Sequence, residues 1–493
     1  MLIRSILCLF LICQVDALLA GKYFHFTPLL IDAYEDVIAL RLDDATRKIE
    51  YVKKEAPDNV LTYHIENYIG FFTVFLGERK EDYSNYLQNK EIRLKRIRAG
   101  DSNDPYFQFS QAEILLQTAL LRLKFEDYLW AFSDVAKAYR LLQSNDQKFP
   151  DFVANKKSLG VLHAIFGSIP DRFRWCASLI GFEGTIAQGR TELESILNYT
   201  GQEAFIFRKE SMVIYAYVLL HLCKDPEAAW EIINKSQLDT SDGLLACFVK
   251  ANIALRTGRG ELAIEILEKR PDSKEYHTFH QLDYLLGLAK LYKLDPDADD
   301  HLRNFTCSFE GRHYIKDAYL KLAWYEMLFN NGLNYDYWTE RCQSEGMAVV
   351  DEDIFAQKMA EGDQRPHADL LKARLLFDGG YFDRAKKVLN DVKPMEDPYM
   401  KLELNYRKGR VYQALGDFKN ALELFGEVMQ KEGHSGSYMV ANAALQSGMI
   451  NEEQGEYKKA YDFYQKCLES RSETYRTSLH QKARAGMART RKN

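Results

Sequence analysis

Six residue positions recur at fixed offsets three times in the last third of the chain. Each copy opens with a small residue, followed by a Gly seven residues later, an aromatic residue nine later, an Ala twelve later and a large side chain sixteen later. The copies begin 36 and 39 residues apart. They are Ala373, Leu376, Gly380, Phe382, Ala385 and Leu389, then Gly409, Tyr412, Gly416, Phe418, Ala421 and Phe425, then Gly448, Asn451, Gly455, Tyr457, Ala460 and Tyr464. Spacing this regular indicates a repeated structural unit.

Each position of the pattern has a physical role in a pair of antiparallel helices. The opening small residue lets two helices approach closely, and the Gly ends the first helix because Gly adopts the left-handed cap conformation without a steric penalty. The aromatic residue begins the second helix, and the Ala three residues later lies on the same face. The pattern therefore predicts helical hairpins that bury their apolar faces against neighbouring hairpins.

These three copies resemble the tetratricopeptide repeat, whose basic period is about 34 residues. The resemblance implies an all-α fold, a right-handed superhelical solenoid of helical hairpins. The aromatic residue that is usual early in the first helix of this repeat is missing here. We assign residues 365–475 to three clear repeats and residues 476–493, with the basic stretch from Arg484 to Lys492, to a C-terminal tail.

The same offsets persist less completely upstream. One copy, with Gly260 in place of the aromatic residue, consists of Ala251, Ala254, Gly258, Ala263 and Leu267. Another, with Glu126 in place of the turn Gly, consists of Ala119, Tyr128, Ala131 and Val135. We predict helical regions like the repeats over residues 21–157 and 201–364. The alternative is a set of unrelated helical hairpins upstream of the three-repeat block.

Residues 158–200 form an apolar, helical insert that is interrupted by Gly and Pro. The segment resembles the tetratricopeptide-repeat-39 family, related to the inclusion-body clearance proteins, at Gly160, Pro170, Gly181, Phe182, Gly184 and Gly189. That resemblance implies an intracellular protein with a link to lipid handling. Basic and aromatic side chains stand together here, a combination found at membrane surfaces. The candidate membrane-contact residues are Arg172, Arg174, Trp175 and Phe182, and the alternative is a buried helix whose arginines snorkel or pair with acids.

The first twenty residues have the order of a secretory signal peptide. Arg4 precedes an apolar run from Ser5 to Cys13, and small residues follow at Ala17 and Ala20. The run is too short to span a bilayer in the usual way. We therefore predict export, to the periplasm or the outer membrane if the source is bacterial. The alternative is a membrane-anchored or cytoplasmic chain whose segment is not cleaved.

Composition and motifs exclude several classes of function. The formal net charge is −6 with acids and bases mixed along the chain, so we predict no nucleic-acid partner. No nucleophile elbow, phosphate-binding loop, zinc-protease or dinucleotide motif is present. His277 and His280 have a spacing that can hold a metal, but no third ligand follows. Asp295, Asp297 and Asp299 alternate as in a calcium loop that lacks its Gly and its closing Glu. We predict no metal, no cofactor and no catalytic residues.

The sequence therefore predicts a non-enzymatic scaffold that binds a protein or peptide on the concave face of its solenoid. First helices of stacked hairpins line such a face. The candidate binding residues, chosen by helical position, are Lys372, Arg374, Tyr406, Arg407 and Arg410. The alternative is a membrane- or lipid-associated helical protein that acts through residues 160–182.

Overall fold

The computed structural model describes residues 21–169, 181–200, 205–362, 365–430, 437–470 and 476–491. In these ranges the chain forms 24 α-helices and one short π-helix, and its β-bridges at Lys22 and Tyr23 are isolated. The predicted all-α fold is confirmed. The signal peptide predicted over residues 1–20 lies outside the described residues.

The helices of the described residues follow one another along the chain. Helices α1 to α12 are Pro28–Ala39, Leu42–Glu55, Leu61–Gly77, Lys80–Ile97, Pro105–Lys124, Tyr128–Lys148, Ala154–Ser168, Ile186–Leu197, Arg208–Val218, Pro226–Lys235, Leu244–Arg256 and Gly260–Glu268, and the π-helix Leu219–Cys223 continues α9. Helices α13 to α24 are Gln281–Lys293, Ala298–Ser308, Ile315–Phe329, Tyr335–Ser344, Asp351–Glu361, Ala368–Asp378, Phe382–Asp391, Pro398–Ala414, Phe418–Gln430, Tyr438–Glu453, Tyr457–Glu469 and Arg476–Thr490.

The chain divides into two compact units. The first unit comprises Met1–Ile253, Glu265–Leu282 and Ser308–Arg312, and the second comprises Ala254–Ile264, Asp283–Cys307 and His313–Asn493. Within each unit, helices that are neighbours in sequence pack against one another. The right-handed superhelix concerns how whole repeats are arranged along the chain, and it stays a prediction.

The three predicted repeats form the hairpins α18–α19, α20–α21 and α22–α23. The second helix of each hairpin begins at the predicted aromatic residue, Phe382, Phe418 or Tyr457. The turn glycines have positive φ angles, 85° at Gly380, 77° at Gly416 and 77° at Gly455. A side chain at these positions would be strained, which is why the pattern requires Gly there.

Close approach of the two helices explains the small residue that opens each copy. A Cβ atom added at Gly409 would lie 2.6 Å from the Phe425 ring, and one at Gly448 would lie 2.6 Å from the Tyr464 ring. Gly486 on α24 contacts the other side of Tyr464, where a Cβ would lie 2.4 Å from the ring. Gly409 and Gly448 therefore make room for the large residue sixteen positions later, and Gly486 makes room for Tyr464 on the preceding helix.

Residues 476–490, which the sequence analysis placed in a basic tail, form the helix α24. Its apolar residues Leu479 and Ala483 are buried together with Cys467 of α23. The helix covers the apolar face that α22 and α23 leave open, as terminal helices of repeat arrays do. The last hairpin is thus capped by a helix instead of being followed by a loose tail.

The two irregular upstream copies keep the turn of the repeat by different means. Gly258 has a φ of 75°, and Glu126 takes the same left-handed conformation with a φ of 63°. Gly260 replaces the expected aromatic residue because the turn of α18–α19 occupies that space. A Cβ at Gly260 would lie 2.7 Å from the carbonyl oxygen of Gly379 and 2.9 Å from the Tyr381 hydroxyl. The departure from the pattern is therefore a packing requirement.

Glycines bring α7 and α8 of the first unit into unusually close contact. A Cβ at Gly189 would lie 2.2 Å from the carbonyl oxygen of Gly160, and a Cβ at Gly167 would lie 2.4 Å from the backbone nitrogen of Ile186. A Cβ at Gly184 would lie 2.6 Å from the Cα atom of His163. The Gly-rich composition of residues 158–200 thus follows from this helix crossing.

A buried ion cluster lies in the first unit where α5, α7 and α9 meet. The Lys157 side chain is 1% exposed, and its Nζ donates to Glu113 at 2.6 Å and to Glu210 at 2.8 Å. Tyr34 and Tyr68 also donate to Glu210, at 2.9 and 3.0 Å. Burial lowers the pKa of Lys157, but the two carboxylates outweigh that effect and raise it above its usual value. The cation is therefore charged and fully engaged inside the core.

A buried carboxyl group predicts pH-dependent stability. Asp353 on α17 accepts the backbone N–H groups of Tyr314 at 2.7 Å and Asp317 at 3.0 Å. Burial nevertheless raises the pKa of Asp353 from 3.8 to about 7. Because the folded state holds this proton more tightly than the unfolded state, the group stabilises the fold below about pH 4, and the contribution is lost as the pH rises through about 7.

We expect the ionisation of Asp353 to lower the free energy of unfolding by about 2 to 4 kcal/mol as the pH rises from 4 to 8. Urea unfolding of the whole chain at a series of pH values measures this slope. Asp353→Asn, which cannot ionise, should flatten the slope in that range. An unchanged slope in the variant would show that other groups cause the pH dependence.

Candidate peptide-binding cleft

A cleft of about 270 Å³ opens on the second unit, on the side formed by the first helices of the three C-terminal hairpins. Side chains four residues apart share one face of a helix, and α18, α20 and α22 each present such a pair to the cleft. The pairs are Arg374 with Asp378, Tyr406 with Arg410, and Tyr438 with Asn442.

The cleft contains four of the five residues that the sequence analysis proposed for peptide binding. Arg374, Tyr406, Arg407 and Arg410 all line it. Lys372 lies on α18 outside the lining, and its Nζ is 3.4 Å from a carboxylate oxygen of Asp369. Helical position in the repeats therefore indicated the helices that line the cleft. It did not show that Arg374 faces the cleft while Lys372 lies outside it.

Two of the arginines are held against aromatic rings. The guanidinium carbon of Arg374 lies 4.8 Å from the centre of the Trp324 ring and 5.0 Å from that of Phe355. The guanidinium carbon of Arg410 lies 4.9 Å from the centre of the Phe377 ring. Stacking on an aromatic face restrains the long side chain and leaves its edge donors available.

The hydrogen bonds of Arg410 are incomplete within the described residues. One terminal nitrogen donates to the Tyr406 hydroxyl at 3.3 Å. Its Nε is buried and has no hydrogen-bond partner in the part of the chain that the structure describes. Buried donors are nearly always paired in native proteins, so this N–H group is an exception within the described residues.

Arg407 differs from these two arginines because a carboxylate already holds it. Its Nε donates to Glu403 one turn earlier at 2.7 Å, and only 13% of its side chain is exposed. Burial lowers the pKa of Arg407, but the Glu403 carboxylate raises it by more, so the net shift is upward. Arg407 is therefore charged but already paired with Glu403, and it contributes less free positive charge to the cleft than Arg374 and Arg410.

Hydroxyl and amide groups form a hydrogen-bonded ladder that begins in the cleft lining at Tyr406 and Asn442 and continues outside it. The Asn442 amide donates to the Tyr406 hydroxyl at 2.6 Å, and Gln446 donates to the Asn442 carbonyl at 3.0 Å. Gln413 in turn donates to Gln446 at 3.0 Å. Burial raises the pKa of Tyr438 to about 12, so its phenol is neutral at physiological pH. This side of the cleft is polar and uncharged.

The capping helix α24 supplies part of the cleft that sequence reasoning missed. Ser478, Leu479 and Lys482 on this helix line it. The signal was present in the sequence, because Leu479 and Ala483 stand four residues apart as on an amphipathic helix. The basic composition around them pointed to a tail instead.

The arrangement is suited to an anionic group. Arg374, Arg410 and Lys482 carry positive charge into the cleft, and Asp378 is the acidic residue among the lining side chains. The Asp378 carboxylate is 3.8 Å from Arg374, which makes it a loose partner. Guanidinium groups bind carboxylates and phosphates through paired hydrogen bonds.

The structure contradicts one of the candidate membrane-contact residues. Phe182 is 7% exposed, and its ring stacks on Phe166 with 4.3 Å between ring centres. The ring also packs at 5.4 Å from Phe132. The prediction of membrane contact through Phe182 was wrong because an aromatic cluster buries the ring. Arg172, Arg174 and Trp175 lie outside the described residues.

The other residues whose spacing was compared with metal sites make contacts within the fold. The backbone nitrogen of His277 donates to the carbonyl of Leu40 at 2.7 Å, and burial lowers the pKa of its imidazole. Asp297 accepts from Lys290 at 2.7 Å. Within the described ranges, no three His, Cys, Asp or Glu side chains are grouped as they would be to hold a metal ion. Nor does any helix in those ranges have the length and apolar character needed to cross a membrane.

Comparison with known families identifies the C-terminal repeats. Residues 402–430 and 441–474 match the family model of the tetratricopeptide repeat. These ranges coincide with the second and third copies of the spacing pattern and with helices α20–α23. The predicted resemblance to the tetratricopeptide repeat is confirmed, and the chain contains tetratricopeptide repeats in these two stretches. The resemblance of residues 158–200 to the tetratricopeptide-repeat-39 family stays a prediction.

Solved structures of similar helical proteins add little beyond this class. Yeast Tom70 is 14% identical over 94% of this chain and 96% of its own, with a TM-score of 0.26. The hetero-tetramer Cut9-Hcn1 of the APC/C is 11% identical over 92% of this chain and 96% of its own, with a TM-score of 0.23. TM-scores this low do not establish a common arrangement of the helices. No curated protein matches the chain in sequence.

Proposed function

We propose that the protein is a non-enzymatic scaffold that binds an acidic segment of a partner protein in the cleft of the second unit. Tetratricopeptide repeats mediate protein interactions in general, and the observation that carries the specific proposal is the convergence of Arg374, Arg410 and Lys482 in one cleft. The stacked arginines are oriented before a ligand arrives, which reduces the entropy lost on binding.

The dimensions of the cleft favour a short segment over a folded surface. A volume of about 270 Å³ is just below the usual range for small-molecule pockets and accommodates one or two side chains. A carboxylate of the segment would accept from Arg410 and Arg374, and the ladder that includes Asn442 would hydrogen bond to its backbone. Apolar contact would come from Phe355 and Leu479.

We expect Arg410→Ala to weaken binding of an acidic peptide by about tenfold or more. A hydrogen bond to a charged group contributes about 1.5 to 3 kcal/mol, which corresponds to this range. Fluorescence anisotropy with labelled peptides rich in Asp and Glu measures the affinity, and the same peptides with Asn and Gln in place of the acids should bind weakly. Affinity should also fall with added salt, since the contact is ionic.

Lys372→Ala is the matched control for this experiment. The residue lies on α18 like Arg374, carries the same charge and stands outside the cleft. We expect this variant to bind as the unchanged protein does. Equal losses in Lys372→Ala and Arg410→Ala would mean that overall charge drives binding, and the cleft would then have no specific role.

We also propose that the protein is exported and loses its first residues. The support is the order of basic, apolar and small residues between Arg4 and Ala20. Mass spectrometry of the protein from its native source should find a mature N-terminus after Ala17 or Ala20. A chain that still begins at Met1 would contradict cleavage.

A further inference from the structure

The hairpin α5–α6 of the first unit ends in a group of exposed apolar side chains, which we call the α5–α6 tip. Two leucines belong to the last turns of α5, and four residues open α6. Their exposed fractions are 51% for Leu120, 46% for Leu123, 56% for Tyr128, 87% for Leu129, 60% for Trp130 and 50% for Phe132. Single exposed apolar residues are normal on protein surfaces, but six at one hairpin end are not.

Contacts from beneath hold the α5–α6 tip in place. The guanidinium carbon of Arg122 lies 5.4 Å from the centre of the Trp130 ring, and Arg122 is itself paired with Asp134 at 3.3 Å. The ring of Phe132 rests against that of Phe182, with 5.4 Å between ring centres. The exposed rings are therefore supported by side chains of the first unit.

The charges around the α5–α6 tip are arranged in two groups. Those beside the turn are engaged within the unit, because Lys124 lies 2.6 Å from Glu78 and Glu126 lies 2.7 Å from Arg312. Further along α6, Lys137 and Arg140 are exposed. Lys137 follows Trp130 by seven residues and Arg140 follows Leu129 by eleven, both close to whole helical turns, so they lie on the same outward side of α6.

We infer that the α5–α6 tip docks on the surface of a bilayer that contains anionic lipids. Leu129 and Trp130 would enter the boundary between headgroups and acyl chains, while Lys137 and Arg140 would meet the lipid phosphates. Trp and Tyr favour this boundary because their rings are apolar at one end and polar at the other. An apolar edge next to exposed basic residues on one helix is the arrangement of interfacial membrane-binding helices.

A bilayer fits this surface better than a protein partner does. The charge complementarity is with a negatively charged plane, since the basic pair lies beside the apolar edge and the remaining charges at the turn are already paired. The α5–α6 tip is a convex hairpin end with Leu129 almost wholly exposed, so it can enter a fluid layer without a shaped groove. This surface belongs to the first unit and is separate from the cleft proposed for peptide binding.

Vesicle co-sedimentation of the full chain tests the inference. We expect binding to vesicles of phosphatidylcholine with phosphatidylserine, and about tenfold weaker binding in the double variant Leu129→Ser, Trp130→Ser. Leu333→Ser is the control, because Leu333 is 82% exposed and lies in the second unit. All variants keep residues 1–20, so a difference in vesicle binding between them is due to the substituted side chains and not to the N-terminal segment. Circular dichroism should show unchanged unfolding for both variants.

Two further measurements distinguish the contribution of the basic residues from that of Trp130. The variant Lys137→Glu, Arg140→Glu should lose most of its preference for phosphatidylserine over phosphatidylcholine. Brominated lipid should quench the fluorescence of Trp130, and Trp130→Phe should remove that quenching while keeping binding. Equal vesicle binding by the double serine variant and the unchanged chain would overturn the inference. A concentration-dependent dimer that the double serine variant abolishes, without vesicle binding by either, would overturn it in favour of a protein interface.

Discussion

Gly189→Ala should destabilise the chain by about 3 kcal/mol or more, because the added methyl group meets backbone atoms. Its Cβ would lie 2.2 Å from the carbonyl oxygen of Gly160 and 2.8 Å from the backbone nitrogen of Ala164. Neither atom can rotate away, so α7 and α8 must separate and leave voids along their interface. This loss exceeds the gain of about 0.5 to 1 kcal/mol that Ala normally brings to a helix. Urea unfolding followed by circular dichroism measures the difference.

Gly426→Ala provides the matched control for that substitution. Gly426 lies inside α21, and nothing stands within 4 Å of the position that its Cβ would take. The variant should therefore be as stable as the unchanged chain or more stable by up to about 1 kcal/mol. If Gly189→Ala were tolerated as well as Gly426→Ala, the close crossing of α7 and α8 would be refuted.

The second large effect is expected from Lys157→Met. This substitution should lower the free energy of unfolding by about 3 to 5 kcal/mol at neutral pH. The substitution keeps an unbranched side chain but leaves the carboxylates of Glu113 and Glu210 without the cation that binds them at 2.6 and 2.8 Å. An uncompensated carboxylate in a dry interior is strongly unfavourable. Thermal and urea unfolding at neutral pH measure the loss.

Two comparisons distinguish lost charge pairing from lost packing. Adding Glu113→Gln and Glu210→Gln to Lys157→Met should recover much of the stability, since no buried charge then remains. Lys235→Met is the surface counterpart, because Lys235 pairs with Glu231 at 3.3 Å while both side chains are at least 65% exposed. Its effect should stay below about 1 kcal/mol. A triple variant no more stable than Lys157→Met would mean that packing of the Lys stem is what the core requires.

The sequence was most informative where structure depends on neighbouring residues along the chain. The offsets from Gly409 to Phe425 correspond to one hairpin, so turn, helix start and contact pair could all be predicted before the structure was known. The same logic found the hairpin turn at Glu126, although this residue is not Gly, because its φ of 63° preserves the turn. Local backbone geometry and helical period depend on residues that are close together in the sequence, so a sequence pattern can predict them.

Predictions that depended on which face of a helix is covered were less successful. Phe182 was expected at a membrane surface, yet it lies in an aromatic cluster with Phe166 and Tyr139. Leu129 and Trp130 are among the exposed apolar residues, although the spacing pattern treated them as ordinary helix positions. Composition alone does not say whether an apolar side chain meets another helix or solvent, because that is decided by the elements packed around it.

What the sequence by itself determined is the class of fold, the three C-terminal hairpins and the helices that carry most of the cleft. Only the tertiary structure decided how distant residues meet. It joined Lys157 to Glu113 and Glu210, which are 44 and 53 residues away along the chain, and it brought Lys482 of the capping helix into the same cleft as Arg374. The physical reason is that hairpins form from local contacts, whereas buried charge pairs and clefts require several helices to pack together, and no period in the sequence records that packing.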